Sequence, residues 1–328
     1  MEESRGRVCV TGGTGFVGSW IIKRLLEDGY SVNTTIRSHP EQKKDVSFLT
    51  NLPGASQRLQ ILNADLSNPD SFKEAIEGCI GVFHVATPID FEESEPEEVV
   101  TKRSIDGALG ILKACVTSKS IKRVVYTSSA VTVSYGGKED EAKDESSWSD
   151  VDFLRTLKIY GSSYAISKTL TEKAVLEFGE QNGLDVVTVI PPAVVGPFIC
   201  SRLPVSVRPC LYFLFDNKEP SSYLEINMVH VDDLARAHMF LLEHPNPKGR
   251  YNCSTCLAAI EEVLEILSVK YPKFQIPTID SLRDRNGLKF PYVSSKKLID
   301  AGFEFKYGLE AMLVDLIECC VEKGYLES

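Results

Sequence analysis

Residues 7 to 29 constrain the fold more than any other stretch of this chain. Arg7-Val8-Cys9-Val10-Thr11 is a short run rich in β-formers. It passes directly into Gly12-Gly13-Thr14-Gly15-Phe16-Val17-Gly18, and then into a helical segment, Ser19 to Asp28, that stops at Gly29. Strand, glycine turn, helix and glycine stop open a βαβ unit and so predict a parallel sheet. Gly12 allows the tight turn, Gly15 lets a pyrophosphate approach the backbone, and Gly18 lets the helix lie close to the strand. The helix then points free N–H groups at the phosphates.

The βα rhythm continues for about 190 residues. Ser31 to Ile36 reads as a second strand and ends at Arg37. An acidic residue here would take the ribose 2′-hydroxyl of NAD, whereas an arginine meets a 2′-phosphate. That predicts a preference for NADPH, with Arg37 as the main contact and Lys44 as a second; a plain basic surface cluster is the alternative. The third strand, Arg58 to Ala64, ends at Asp65-Leu66, where an adenine would lie. A helix is expected from Asn68-Pro69 through Glu77. The fourth strand, Gly81 to Thr87, would lay Ala86 and Thr87 along the cofactor, and His84 inside it reads as a satisfied core histidine. A long helix over 96–118 precedes a fifth strand at 121–127. Gly136 to Ser149 reads as a polar surface loop. A sixth strand, Leu184 to Ile190, ends in Pro191-Pro192.

Beyond that point the rhythm breaks. Pro197, Pro204 and Pro209 punctuate apolar and aromatic segments, so a second lobe that encloses a substrate is expected there. Met228 to Asp233 reads as a strand end followed by a helix through Leu242, with Asp232 and Asp233 as helix caps rather than catalysts. A seventh strand is expected at 249–253, and helices at 257–270 and 308–323. The domain reading is residues 1–190 for nucleotide binding, with returns near 228–253, and 191–328 mainly for the substrate lobe. As candidate pocket-lining residues we take Ile89, Phe91, Tyr135, Tyr160, Phe198, Leu203 and Tyr223, each of which could equally be core.

The chemistry is carried by residues 124 to 168. The strand Val124 to Ser129 ends in two serines, and Tyr164 and Lys168 lie four residues apart, on one face of a helix. A phenol has a reference pKa of about 10 and is a poor acid near neutrality. An ammonium one turn away favours the phenolate and lowers that pKa, and a serine hydroxyl can hold the same substrate oxygen. These are the parts needed to move a proton on or off a carbonyl oxygen.

Composition narrows the partners. The 328-residue chain has a net charge of −10, which gives no basic field to steer nucleic acid or an anionic membrane. No apolar run is long enough to span a bilayer, and the polar N-terminus does not read as a signal peptide. Nine cysteines are scattered through the chain. Cys253 and Cys256 have C-x-x-C spacing with no second pair to complete a zinc site, so no metal is expected. Reduced thiols place the protein in the cytoplasm.

In order, Thr11-Gly12-x-x-Gly15-x-x-Gly18, the Ser-Ser strand end and Tyr164-x-x-x-Lys168 resemble the extended short-chain dehydrogenase/reductase family. The likeness runs over essentially the full length. It points to the plant dihydroflavonol reductase-like group, and within it to the vestitone reductases, through Gly29 to Arg37, Asp106 to Cys115, Lys173 to Thr188 and Met228 to His238. The resemblance implies an α/β fold: a Rossmann doubly wound parallel sheet with a smaller C-terminal α/β substrate lobe. It also implies NADPH as hydride donor and a phenolic, isoflavanone-like ketone reduced to the alcohol. By the family pattern Ser129 is the catalytic serine, Tyr164 the proton donor, and Lys168 the residue that holds the nicotinamide ribose. Family-type cofactor contacts fall on Gly12, Gly15, Phe16, Val17, Gly18, Arg37, Lys44, Asp65, Leu66, Val85, Ala86, Thr87, Tyr164, Lys168, Pro191, Val194 and Ser206.

Two departures shape the substrate reading. Tyr160-Gly161-Ser162-Ser163 stands where cinnamoyl-CoA reductases carry an Asn-Trp-type motif, which counts against a CoA thioester. Val131 to Tyr135 replaces the asparagine with which dihydroflavonol reductases grip their substrate. A dihydroflavonol reductase-like activity, another specialised-metabolite carbonyl reductase and an NAD-dependent alcohol or lactol dehydrogenase remain alternatives, as does a nucleotide sensor without chemistry. A monomer or weak homodimer is expected.

Overall fold

A computed structural model describes residues 5–37, 45–88, 95–137, 141–157, 161–207, 224–277 and 289–327. Lys44, Ile89, Phe91, Tyr160 and Tyr223 lie outside these residues. Seven parallel strands form the main sheet: β1 (Arg7–Thr11), β2 (Ser31–Ile36), β3 (Leu59–Asn63), β4 (Gly81–His84), β5 (Arg123–Thr127), β6 (Val186–Ile190) and β9 (Gly249–Asn252). Their order is β3-β2-β1-β4-β5-β6-β9. The order reverses between β1 and β4, and such a switch point opens a crevice at the carboxyl ends of the strands.

The inner strands are buried on both faces, and β1, β4, β5 and β6 accordingly read as mostly apolar runs, whereas the edge strand β3 is only partly covered. Val8 and Val10 turn to one side, where Ile21, Ile22 and Leu25 of helix α1 (Phe16–Glu27) cover them. Cys9, Val82 and Val124 turn to the other, against Ile111 and Leu112 of α5 (Glu97–Ser118) and Val175 of α7 (Ser162–Asn182). Short helices α2 (Ser47–Thr50), α3 (Ala55–Arg58) and α4 (Lys73–Ile76) flank β3, and α6 (Val151–Leu157) precedes α7. The helix expected over 68–77 is instead a 3-10 turn, Pro69–Phe72, followed by the single turn of α4.

The C-terminal part builds a three-stranded sheet, β10-β8-β7, from β7 (Ala193–Val195), β8 (Glu225–His230) and β10 (Cys256–Ala259). The helix expected to begin at 257 therefore begins at Ile260, because Cys256 to Ala259 pair antiparallel with Met228 to Glu225. Helices α8 (Val231–Glu243), α9 (Ile260–Lys270), α10 (Lys296–Asp300) and α11 (Leu309–Glu322) complete the described chain. Phe198 is fully buried here among Met228, Leu313 and Ile317, as a core residue would be.

The expected caps of α8 also differ. His230 caps the helix, its Nδ1 accepting from the Asp232 amide at 3.0 Å. Asp232 and Asp233 instead tie distant segments together. Asp232 accepts from Trp20 Nε1 at 2.9 Å on α1, and Asp233 accepts from the Lys306 and Tyr307 amides at 3.0 and 3.1 Å. The polar stretch before α6 is likewise more than a surface loop. Lys143 pairs with Val293, and the Ser149 hydroxyl donates to Val131 O at 2.6 Å.

Candidate active site

The glycine turn is built as its residues require. Gly12 has φ +74°, and a Cβ there would lie 3.1 Å from the Ala86 backbone. A Cβ on Gly18 would collide with the Gly12 carbonyl oxygen, so only glycine lets α1 start this close to β1. Phe16 and Val17 open α1 directly over the turn.

Thr11, the last residue of β1, fixes the facing wall. Its hydroxyl accepts from the Val85 and Ala86 amides, both at 3.0 Å. It lies 2.9 Å from His84 Nδ1. With its lone pairs taken by two amides, that hydroxyl gives its hydrogen to His84 Nδ1, so the imidazole is neutral. Burial, reinforced by the Lys168 charge, holds the His84 pKa down at about 3. His84 is a satisfied core histidine, and Thr11, which the glycine pattern alone does not single out, clamps β1 to the exit of β4.

Arg37 is exposed at the carboxyl end of β2 and makes no ion pair among the described residues. Asp65 accepts from the Ser67 amide and hydroxyl at 2.8 and 2.7 Å, which closes the turn after β3. Leu66 packs on Gly107 of α5. On the other side of the crevice, the Pro191 carbonyl accepts from the Ala130 amide at 2.8 Å, and Ser206 donates to Val194 O at 3.4 Å. Val194 is buried in the core that α1 and α8 share.

The carboxyl end of β5 meets the first turns of α7. The two serines part company there. Ser128 turns inward and donates to Glu172 Oε2 at 2.6 Å, while Ser129 forms a side-chain hydrogen bond with Tyr164. Lys168 is only 2% exposed and lies over the Tyr126 ring, its nitrogen 4.7 Å from the centroid. It donates to Thr127 O at 2.8 Å, Tyr126 Oη at 3.2 Å and Thr87 Oγ1 at 3.4 Å. Burial brings its pKa down to about 7, against the opposing pull of Glu172. The Tyr164 phenol is shifted up, since desolvation outweighs the Ser129 hydrogen bond. The ammonium effect expected from the four-residue spacing is thus smaller than burial in the protein alone.

Glu172 and Arg250 were not evident as site residues. Glu172 continues the stripe of Tyr164 and Lys168 by four more residues, a spacing that points to it. Arg250 sits on β9, far away in sequence, and nothing local announces it.

A seven-stranded doubly wound sheet, a glycine turn at its first switch-point strand and a serine–tyrosine pair beside a buried lysine define a Rossmann nucleotide-binding protein of the extended short-chain dehydrogenase/reductase kind. The chain belongs to the NAD dependent epimerase/dehydratase family, whose sequence pattern matches residues 8–254. It is 63% identical to vestitone reductase of Medicago sativa over 326 residues, 99% of this chain and 100% of that one. The crystal structure of vestitone reductase from alfalfa matches with a TM-score of 0.90 at 60% identity, covering 98% of this chain and 100% of that one. Dihydroflavonol 4-reductase of Arabidopsis thaliana is 46% identical over 327 residues, 99% of this chain and 85% of that one.

Proposed function

We propose that this protein is an NADPH-dependent reductase that converts a ketone on a phenolic, isoflavonoid-type plant metabolite to the alcohol. The observation that carries the reading is the Ser129–Tyr164 hydrogen bond beside the buried Lys168 at the mouth of the crevice. The full-length likeness to vestitone reductase supports the ketone class. The residues present fit the dinucleotide: the Gly12–Gly18 turn leaves no room for side chains between strand and helix, and Arg37 stands exposed where a 2′-phosphate would lie. Lys44, Asp65, Leu66, Val85, Ala86, Thr87, Pro191, Val194 and Ser206 remain the further proposed contacts.

NADPH, when bound, supplies the hydride. Ser129 holds the ketone oxygen by a hydrogen bond, and Tyr164 gives that oxygen its proton as negative charge develops there. Lys168 holds the nicotinamide ribose and stabilises the tyrosinate left behind. The part after residue 190 supplies most of the substrate lobe, a role supported by its separate sheet and core.

The protein works as a monomer or weak homodimer in the cytoplasm. The free thiols and the scatter of exposed large apolar side chains over separate elements support this. No helix among the described residues is long and apolar enough to cross a membrane.

The test is a panel of isoflavanones, dihydroflavonols and aromatic aldehydes with NADPH and with NADH, read by cofactor absorbance. Turnover of an isoflavanone with NADPH is expected. Turnover confined to dihydroflavonols would move the substrate class, and an inert protein across the panel would end the reductase reading.

A further inference from the structure

One face of α7 carries three ionisable side chains in succession, Tyr164, Lys168 and Glu172. The proposed chemistry uses the first two. Glu172 is fully buried, and both its oxygens are engaged. Oε1 accepts from Thr188 Oγ1 at 2.6 Å and Arg250 Nε at 3.0 Å. Oε2 accepts from Ser128 Oγ at 2.6 Å and Arg250 Nη2 at 3.4 Å. Arg250 is itself anchored, stacking 3.5 Å above the Trp148 ring and donating to Glu145 O, Ser147 O and Thr132 Oγ1. The carboxylate is thus bolted to β5, β6, β9 and the segment before α6 at once.

Two consequences reach the site. The Ser128 hydroxyl is held inward, which fixes the alternation of the strand end and turns Ser129 toward Tyr164. The hydrogen-bond partners of Lys168 are all neutral oxygens. The groups around it on packed elements are Tyr126 on β5 and His84 on β4, and Tyr164 and Glu172 on its own helix, with Arg250 on β9 behind Glu172. Glu172 is the negative charge in that set.

We propose that Glu172 is a positioning residue of the site, one whose carboxylate turns Ser128 away from the crevice and supplies the countercharge to the Lys168 ammonium. The proposal rests on the reductase reading for the roles of Ser129, Tyr164 and Lys168. Its test does not need turnover. In protein carrying ¹³C-labelled lysine side chains, the Lys168 signal is assigned by its loss in Lys168→Arg and titrated by NMR. The wild-type midpoint is expected near 7. In Glu172→Gln it should fall by about one unit, as expected on losing an opposite charge nearby, and in Glu172→Asp and Ser128→Ala it should stay.

Removing one partner of a buried ion pair is strongly destabilising. If Glu172→Gln does not fold, Glu172→Gln/Arg250→Gln removes both charges; loss of the Arg250 cation behind the carboxylate opposes the effect, so the midpoint should fall in the same direction by less. The high-pH limb of NADPH-dependent ketone reduction should move down with the NMR midpoint. A Lys168 midpoint indifferent to Glu172 overturns the inference and leaves the reductase reading intact. A wild type that consumes no NADPH with any ketone fails that reading, whatever the titration gives.

Discussion

Two clusters of buried polar groups do different work. At the carboxyl edge of the main sheet, Thr11, His84, Tyr126, Lys168 and Glu172 are buried where the ends of β1, β4 and β5 meet α7. At the junction with the C-terminal lobe, His230, Asp232 and Asp233 are buried just as deeply, but their polar atoms face other parts of the chain. Asp232 also sits 3.3 Å from Arg24 Nε, and Asp233 2.7 Å from Arg236. The His230 ring stacks on Tyr307 at 3.8 Å. Burial of a charge is therefore no sign of chemistry by itself. What separates the two clusters is that the first adjoins the Ser129–Tyr164 pair at the strand ends, whereas the second only ties α8 to α1 and to residues 306–307.

That contrast breaks if variants in the two clusters behave alike. The largest effect is expected from Tyr164→Phe, which removes a proton donor and little volume. Turnover should fall by about 10²–10⁴-fold, with the melting temperature and NADPH affinity kept. Full turnover in this variant would place the proton transfer elsewhere. Asp233→Ala should do the reverse. Two backbone amides and Arg236 lose their acceptor, so denaturant titration should show a loss of about 3 kcal/mol, with turnover per folded molecule unchanged.

The pH dependence sharpens the first cluster. Lys168 loses its proton through about pH 7, so kcat/KM for NADPH, which reports the free protein, should decline as pH rises through that value. Stability has the opposite slope. The depressed lysine pKa means the unfolded chain binds more protons between about 7 and the ordinary lysine value, so this residue makes the fold more stable as pH rises across that window. His84 is pinned near 3 and should add no limb near neutrality. The smallest effect is expected from Arg37→Ala. It should weaken NADPH binding about tenfold in titration calorimetry and leave NADH nearly unchanged. Equal losses for both would move the 2′-phosphate contact elsewhere.

The same two regions show what was legible beforehand. The six strands up to Ile190 could be read because most are short runs of β-branched and aliphatic residues, and Tyr164 and Lys168 because helical spacing is local. The lobe was harder. Ala193 to Val195 is a three-residue strand just after two prolines, and Cys-Leu-Ala-Ala at 256–259 fits a helix as well as a strand. Both become strands only by pairing with β8, a long-range choice that no window records. His230 displaced the aspartates as the cap of α8 for a similar reason, since their carboxylates had better donors on α1 and near residue 306. Glu172 falls at the helical period of Tyr164 and Lys168, yet only its contacts with Ser128 and Arg250 mark it. Arg250 required the whole topology.

The last strand of the main sheet comes from residues 249 to 252 and pairs with β6, which ends at 190. During synthesis on the ribosome, the edge of β6 emerges about sixty residues before its neighbour, and the buried Glu172 waits longer still, 78 residues, for its guanidinium. A translation product cut after residue 190 would expose an open sheet edge and an uncompensated carboxylate. The main sheet is thus a continuous shape made from a discontinuous message, and a fragment ending at residue 190 should not be recovered folded.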